Sequence, residues 1–410
     1  MGQGNGVMEL IPLVQASLGE RERAAVAEVF AAERSAGQGL RAKELEAELT
    51  DRFGAGDAVV VSDCAAALQL ALLGLGVEPG DEVIVADYGS PAPAHAVRHA
   101  GAVPVLADVR ADTGTVDPWA VADLIGPRTV GVIAVDTVGL PADYTELGWV
   151  TDRHGLFLLE DAAGAAGASY KGREAGTLAP VACLSPHGHQ GTARGQGGVL
   201  LTSDPGLGAA ARNRSSSGIP SVLGRATAVG LADSDHGDIA CDHRLSDIAA
   251  AILRVQLART DELLRRRRLV AAHYAGLLAD DELLSLPHVP QNRCHAWQSY
   301  VVTLDPGVDR AAVAADLRAR GIGCGHGAWA THLLPVYEKT RHACPVSADL
   351  FQHNLALPMH AELTMSQVEQ VAEALRTALR AHRRAHTVQT GRPGAALLGS
   401  DASPASSDFE

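Results

Sequence analysis

Short apolar runs recur along the first half of this chain, each bounded by Gly, Asp or Pro and separated by segments of helical spacing. They include Ala58–Val61, E-V-I-V-A at 82–86, V-P-V-L-A at 103–107, V-G-V-I-A-V at 130–135, Leu156–Leu159 and Gly198–Thr202. Runs that are apolar throughout predict strands buried on both faces, as parallel sheets require. The intervening Cys64–Leu73 and Ala92–Ala100 read as helices. This alternation predicts an α/β domain on a large, doubly wound, mostly parallel sheet. Ligands of such sheets bind outside the carboxyl ends of the strands. Upstream, residues 19–34 set Ala24, Val26, Val29 and Phe30 at helical spacing, and a second helix is expected over Leu40–Phe53.

Downstream the pattern changes. Residues 203–240, rich in Ser, Gly and Asp, read as irregular loop. A helix follows at 242–257 and continues through Arg265–Arg268, four arginines that read as a solvated face. A smaller domain is expected next, with a strand at 297–304, a helix over Asp309–Arg320, a turn at 321–325 and a closing helix over Met365–His382. The expected organisation is therefore an N-terminal segment and large domain over 1–255, an interdomain helix and small C-terminal α/β domain over 256–384, and a disordered Ser/Ala/Gly/Pro-rich tail over 385–410.

Composition narrows the function classes. A chain of 410 residues, 47% hydrophobic, has material for a sizeable core. A net charge of −14 argues against nucleic acid as a partner. No run approaches the roughly 18 apolar residues of a membrane span, and the N-terminus has no basic-then-apolar leader, so a cytoplasmic protein without membrane association is expected. The six cysteines are scattered without a C-x-x-C pair and read as free thiols. His187 and His189 have the H-x-H spacing of a metal pair, but no third ligand is apparent, so no metal is expected.

The candidate chemistry lies in two stretches, L-L-E-D-A-A-G-A-A-G-A-S-Y-K-G-R at 158–173 and V-A-C-L-S-P-H-G-H-Q-G-T-A-R-G-Q-G-G-V-L at 181–200. Together they resemble the core of the DegT/DnrJ/EryC1/StrS sugar aminotransferases, pyridoxal-phosphate (PLP) enzymes of fold type I. That core reads roughly E-D-A-A-Q-x-x-G-A-x-Y-K-G-R, a spacer, then C-F-S-F-x-P-T-K-x-x-x-x-G-E-G-G. R-L-S-D at 244–247, H-L-L-P-V-Y at 332–337 and L-A-L-P-M-H at 355–360 extend the likeness from about Ile11 to His382. It implies the type I fold, a dimer and a small-molecule sugar substrate. It also implies that Asp161 bonds the cofactor's ring nitrogen and that Ser185 lies at the cofactor.

Other cofactor positions of the family carry different residues here. The lysine that holds PLP falls on Gln190, whose amide is neither basic nor nucleophilic. The Gly-Thr pair that grips the phosphate falls on Cys64 and Ala65, with Asp63 beside it; the stacking aromatic falls on Ser90, with Tyr88 two residues earlier as a substitute. The glutamine after the E-D pair falls on Gly164, and the asparagine that reaches the partner's phosphate falls on Asp242. Joint replacement predicts a protein released from PLP, with no cofactor; noncovalent PLP or PMP is the alternative. The vacated pocket would then hold Asp63, Cys64, Tyr88, Ser90 and Asp242. His187 and His189 would be its acid/base groups, Asp161 would orient one of them, and Gln190 would bind substrate. Asp87, Asp136, His326 and His332 are further candidates for that pocket. Three readings stand: a PLP-independent enzyme of specialised metabolism acting as a homodimer, a non-catalytic subunit paired with an active paralogue, and a PMP- or PLP-dependent enzyme without a lysine linkage.

Overall fold

The computed structural model describes residues 10–31, 39–185, 197–216, 241–340 and 343–383. Its large domain is built on a seven-stranded sheet in the order Asp57–Val61, Gly198–Thr202, Val181–Leu184, Phe157–Ala162, Thr129–Val135, Glu82–Ala86, Val103–Ala107. Gly198–Thr202 is antiparallel to both its neighbours, and the other adjacent pairs are parallel. Most of the runs expected to be buried on both faces are so: four consecutive residues in each of Val83–Ala86, Pro104–Ala107 and Val132–Val135 are shielded from solvent, whereas in Leu156–Leu159 only Leu159 is buried. One face packs against the helices Leu40–Phe53, Tyr144–His154 and Asp247–Ala258, the other against Cys64–Gly74 and Ala92–His99. Gly198 is required where its strand crosses the start of the Cys64–Gly74 helix, since a Cβ there would lie 2.1 Å from the carbonyl oxygen of Asp63.

The small domain has a three-stranded antiparallel sheet, Leu284–Ser285, Tyr300–Leu304 and Asn354–Leu357, covered by the helices Thr260–Leu278, Arg310–Ala319 and Met365–Ala381. The last of these opens on a capping box between Thr364 and Gln367. A two-residue pairing, Trp329 with Gly89 and Ala330 with Tyr88, ties this domain to the carboxyl end of the large sheet.

Four local expectations are corrected. Pro205–Arg214 is a helix, not loop: Asp204 caps it by accepting the Gly206 N–H at 2.8 Å, Pro205 occupies its first turn, and an Ala run continues it. The first helix, Glu20–Ala31, turns Val29 inward but leaves Phe30 74% exposed. Arg267 is buried within the arginine run, and that burial pulls its guanidinium down to about 10. The strand expected from Trp297 begins at Tyr300, because Trp297 has φ +54°, outside the extended region. The tail beyond 384 and residues 217–240 lie outside the described residues.

Candidate active site

A cleft of about 80 Å³ opens at the carboxyl ends of the parallel strands, between the two domains. Ser90, Asp136, Asp161 and Gly164 line it from the large domain, Gln298 and Trp329 from the small one. Asp161 ends the Phe157–Ala162 strand, opposite Val135, and is 4% exposed. Its Oδ1 accepts the Ala163 N–H at 3.1 Å and faces the Cys64 thiol at 3.9 Å. Burial raises its carboxyl to about 6, against the opposing pull of the Ala163 and Cys64 hydrogen bonds. That value places the group where it can exchange a proton near neutrality. Its Oδ2 has no partner among the described residues.

Asp63 is the N-cap of the Cys64–Gly74 helix, accepting the Ala66 N–H at 2.9 Å and the Ser62 hydroxyl at 3.0 Å. Cys64 follows at the first helical position. Burial, then Asp161, Cys183 and Asp63, push its thiol well above the usual range, so it stays protonated and non-nucleophilic. Ser90 accepts the Ala92 N–H at 3.3 Å, just ahead of the next helix, whose N-cap is Pro91. Ser185 donates to the Gly197 carbonyl at 3.4 Å and does not line this cleft.

Gln298 occupies the place left by Gly164: a Cβ built on Gly164 would lie 2.0 Å from its Oε1 and 2.5 Å from its Cδ. The carboxamide is delivered by two left-handed turns that lean on each other. Val138 has φ +51° and Trp297 φ +54°; Ala296 donates to the Gly139 carbonyl at 2.9 Å and Ser299 to that of Val138 at 3.4 Å. A β-branched residue at positive φ is a strained position held by its surroundings. Neither Gln298 nor Trp329 stands out in the sequence. Trp329 is 46% exposed, and His326 and Phe351 form an aromatic cluster with it.

Several expected pocket residues are elsewhere. Tyr88 is buried, its hydroxyl accepting the Asn354 amide at 2.7 Å, and burial pushes it up to about 12; it borders a neighbouring cavity and not the Asp161 cleft. Asp242 lies on the surface, where bonding to Arg244 at 2.7 and 2.8 Å holds its carboxyl down at about 2. His332 points into the fold. Its Nδ1 lies 2.6 Å from Asp87 Oδ2, while its N–H donates to Asp87 Oδ1, and Cys344 completes a buried Asp/His/Cys group. The 2.6 Å contact is a hydrogen bond, shorter than the roughly 3.3 Å separating two ligands of a tetrahedral zinc ion with 2.0 Å bonds. This group therefore pins the domains together as it stands. His326 backs Trp329 without lining the cleft, its Nδ1 accepting from Arg310 at 2.7 Å. Asp136 does line the cleft, with Oδ1 bonded to the Ala142 N–H and the Tyr144 hydroxyl; burial, then Glu160, raise it well above the carboxylate range. His187, His189 and Gln190 lie outside the described residues.

The profile of the DegT/DnrJ/EryC1/StrS aminotransferase family matches residues 16–376. The chain belongs to that family. Among solved structures it is similar to the aminotransferase TlmJ from Streptoalloteichus hindustanus, with 33% identity and a TM-score of 0.83 over 91% of this chain and 100% of that one. It is similar also to DesV of S. venezuelae, solved in complex with a ketimine intermediate, with 32% identity and a TM-score of 0.78 over 87% and 93% of the two chains. A putative sugar aminotransferase from Streptococcus pneumoniae in its PMP form shares the fold at 24% identity and a TM-score of 0.84, over 90% of this chain and 99% of that one. The large, mostly parallel central sheet flanked by helices is thus that of PLP-dependent aminotransferase fold type I.

Proposed function

We propose that this family member works without PLP, as a homodimeric enzyme of specialised metabolism that uses acid/base groups in the vacated cofactor pocket. The observation that carries this reading is the Asp63 cap. In the family resemblance, the start of the Cys64–Gly74 helix is the phosphate cradle. Here the Ala66 N–H is already taken by a carboxylate, and Ala65 offers no hydroxyl. A phosphate brought there would lose a backbone donor and meet like charge. Ser90 carries no ring to stack on a pyridine, and Gln190 stands at the lysine position. The residues present therefore do not fit PLP, and no step is derived through it. Asp161, poised near 6 by burial, is the proton-exchanging group on the described side of the cleft. His187 and His189 are proposed to face it as acid and base, with Gln190 binding substrate.

The test is an absorbance titration of the purified protein with PLP, followed by borohydride. No band of protein-bound PLP and no fixed adduct are expected, and Gln190→Lys alone should not restore tight binding. A PLP adduct in the 183–198 peptide, or on another lysine bordering the cleft, overturns the reading. A second reading, noncovalent PMP, draws support from Asp161, the one ring-binding residue retained; PMP saturation of the same sample at micromolar concentration would favour it.

A further inference from the structure

A second cavity, of about 60 Å³, lies across the Thr137–Val138 segment, whose two residues border it and the Asp161 cleft alike. One ordered water needs about 10–15 Å³ of such space, so this cavity has room for about four to six waters, or for a small organic group of that size. Two polar side chains in its wall are buried, His295 at 4% exposure and Tyr88 at 2%. Each holds a donor with no acceptor. His295 Nδ1 accepts the Trp297 N–H at 2.7 Å, which leaves the ring proton on Nε2. Burial pulls this imidazole down to about 3, so it stays neutral. Its Nε2–H has no partner among the described residues and is open to the cavity, not sealed in the core. Tyr88 ends a relay: Thr303 Oγ1 donates to Asn354 Oδ1 at 2.7 Å, and Asn354 Nδ2 donates to the Tyr88 hydroxyl at 2.7 Å. The relay uses the oxygen of that hydroxyl and leaves its proton without an acceptor among the described residues.

The rest of the wall sets the charge of what can enter. Leu140, Leu286, Val301 and Leu350 make it largely apolar, and no Lys or Arg borders it among the described residues. The titratable Asp112 and His288 stand at its exposed rim. An ammonium inside would meet donors where it needs acceptors. A carboxylate would leave water with no cation to pair it. An uncharged carbonyl meets neither penalty: its oxygen offers two lone pairs to the two donors, and its carbons face the apolar wall.

We propose that this cavity is a binding pocket for an uncharged carbonyl group, such as an amide or lactam, held by the Tyr88 hydroxyl and the His295 Nε2–H. The pocket is separate from the Asp161 cleft, and the proposal holds whether or not that cleft takes a cofactor. Since Thr137 and Val138 belong to both walls, the carbonyl-bearing arm of a larger ligand would have the Asp161 cleft as its immediate neighbour.

Titration of the full-length protein with the lactam 2-pyrrolidinone, followed by ligand-observed NMR, tests this. Pyrrolidine, cationic at neutral pH, and propionate serve as charged comparisons of similar size. Saturable millimolar binding is expected for the lactam, at least about tenfold tighter than for either ion. Loss of one neutral hydrogen bond changes affinity by about three- to tenfold, and Tyr88→Phe and His295→Asn should each weaken the lactam by that factor. The asparagine keeps an acceptor near the Nδ1 position and places no donor at Nε2. Thermal melts check the fold of each variant, and Tyr88→Phe, which loses a single oxygen, carries the test if the His295 variant does not fold. Crystals soaked in the lactam should show it between Tyr88 and His295. No saturable binding, an ion bound as well as the lactam, unchanged affinity in Tyr88→Phe, or only ordered water between Tyr88 and His295 in the soaked crystal overturns the proposal.

Discussion

The exchange of a side chain at Gly164 for the carboxamide of Gln298 can be tested as a double-mutant cycle. A Cβ at 164 would lie 2.0, 2.5 and 3.0 Å from the Oε1, Cδ and Nε2 of Gln298, against an ordinary contact of 3.4 Å or more. Gly164→Ala therefore cannot be accommodated unless the amide leaves. Displacing a packed side chain costs typically about 1–3 kcal/mol. Gln298→Ala should cost a smaller amount, since one hydrogen-bonding group is lost from a cleft open to water. In the double variant the methyl added at position 164 enters space already cleared, so the penalty of the first change should vanish. The coupling energy is then expected at about 1–3 kcal/mol in the restoring direction. Urea unfolding of the four proteins, read by fluorescence and compared at equal m-values, measures it. Additivity within about 0.5 kcal/mol would show that the carboxamide does not fill the site, and the assignment of Gln298 to the space beside Gly164 would be wrong.

The carboxyl of Asp161 is raised by burial from 3.8 to about 6, so the native state holds its proton more tightly than the unfolded chain. The group's cost to stability is absent below pH 4, grows between pH 4 and 6, and is complete above 6, where it amounts to roughly 3 kcal/mol at most. Asp161→Asn should accordingly be the more stable protein at pH 8 and equal to the parent at pH 4; a gain at pH 4 as large as at pH 8 refutes the assignment. Asp63→Ala should lower stability by about 1 kcal/mol through loss of the cap, with Asp63→Ser retaining most of it, as denaturant titration would show. His187→Ala or His189→Ala should reduce turnover by about 10²–10⁴ with the fold intact; full activity in both removes that loop from the acid/base chemistry. Light scattering should find a dimer, and a clean monomer at micromolar concentration would favour a subunit completed by an active paralogue.

The framework of the large domain is legible in the sequence because parallel strands are shielded on both faces, and continuous runs such as Val83–Ala86 have few other uses. The helix at Pro205–Arg214 is hidden for a compositional reason: glycines and neighbouring serines suggest loop, although Asp204-Pro205 is itself a helix-start signal. Asp63 reads as a charge out of place beside a phosphate site, and the capping rule applied to Ser62-Asp63-Cys64 gives its structural role directly.

Gln298 and Trp329 are beyond local reading, for a different reason. Each belongs to the small domain and reaches the cleft only when that domain docks, through the Trp329–Gly89 pairing and the contact of residues 296–299 with the Val138–Gly139 turn. Sequence spacing reports what one helix face or strand edge presents; it carries no signal for a residue delivered by docking. Positions such as Gly164 and Ser90 therefore read as losses when only their own segment is considered. With the second domain in place, an amide stands beside the missing side chain at 164, and an indole stands beside the missing ring at 90. Both side chains arrive from the same docking surface, so this wall of the cleft is complete only with the small domain in place.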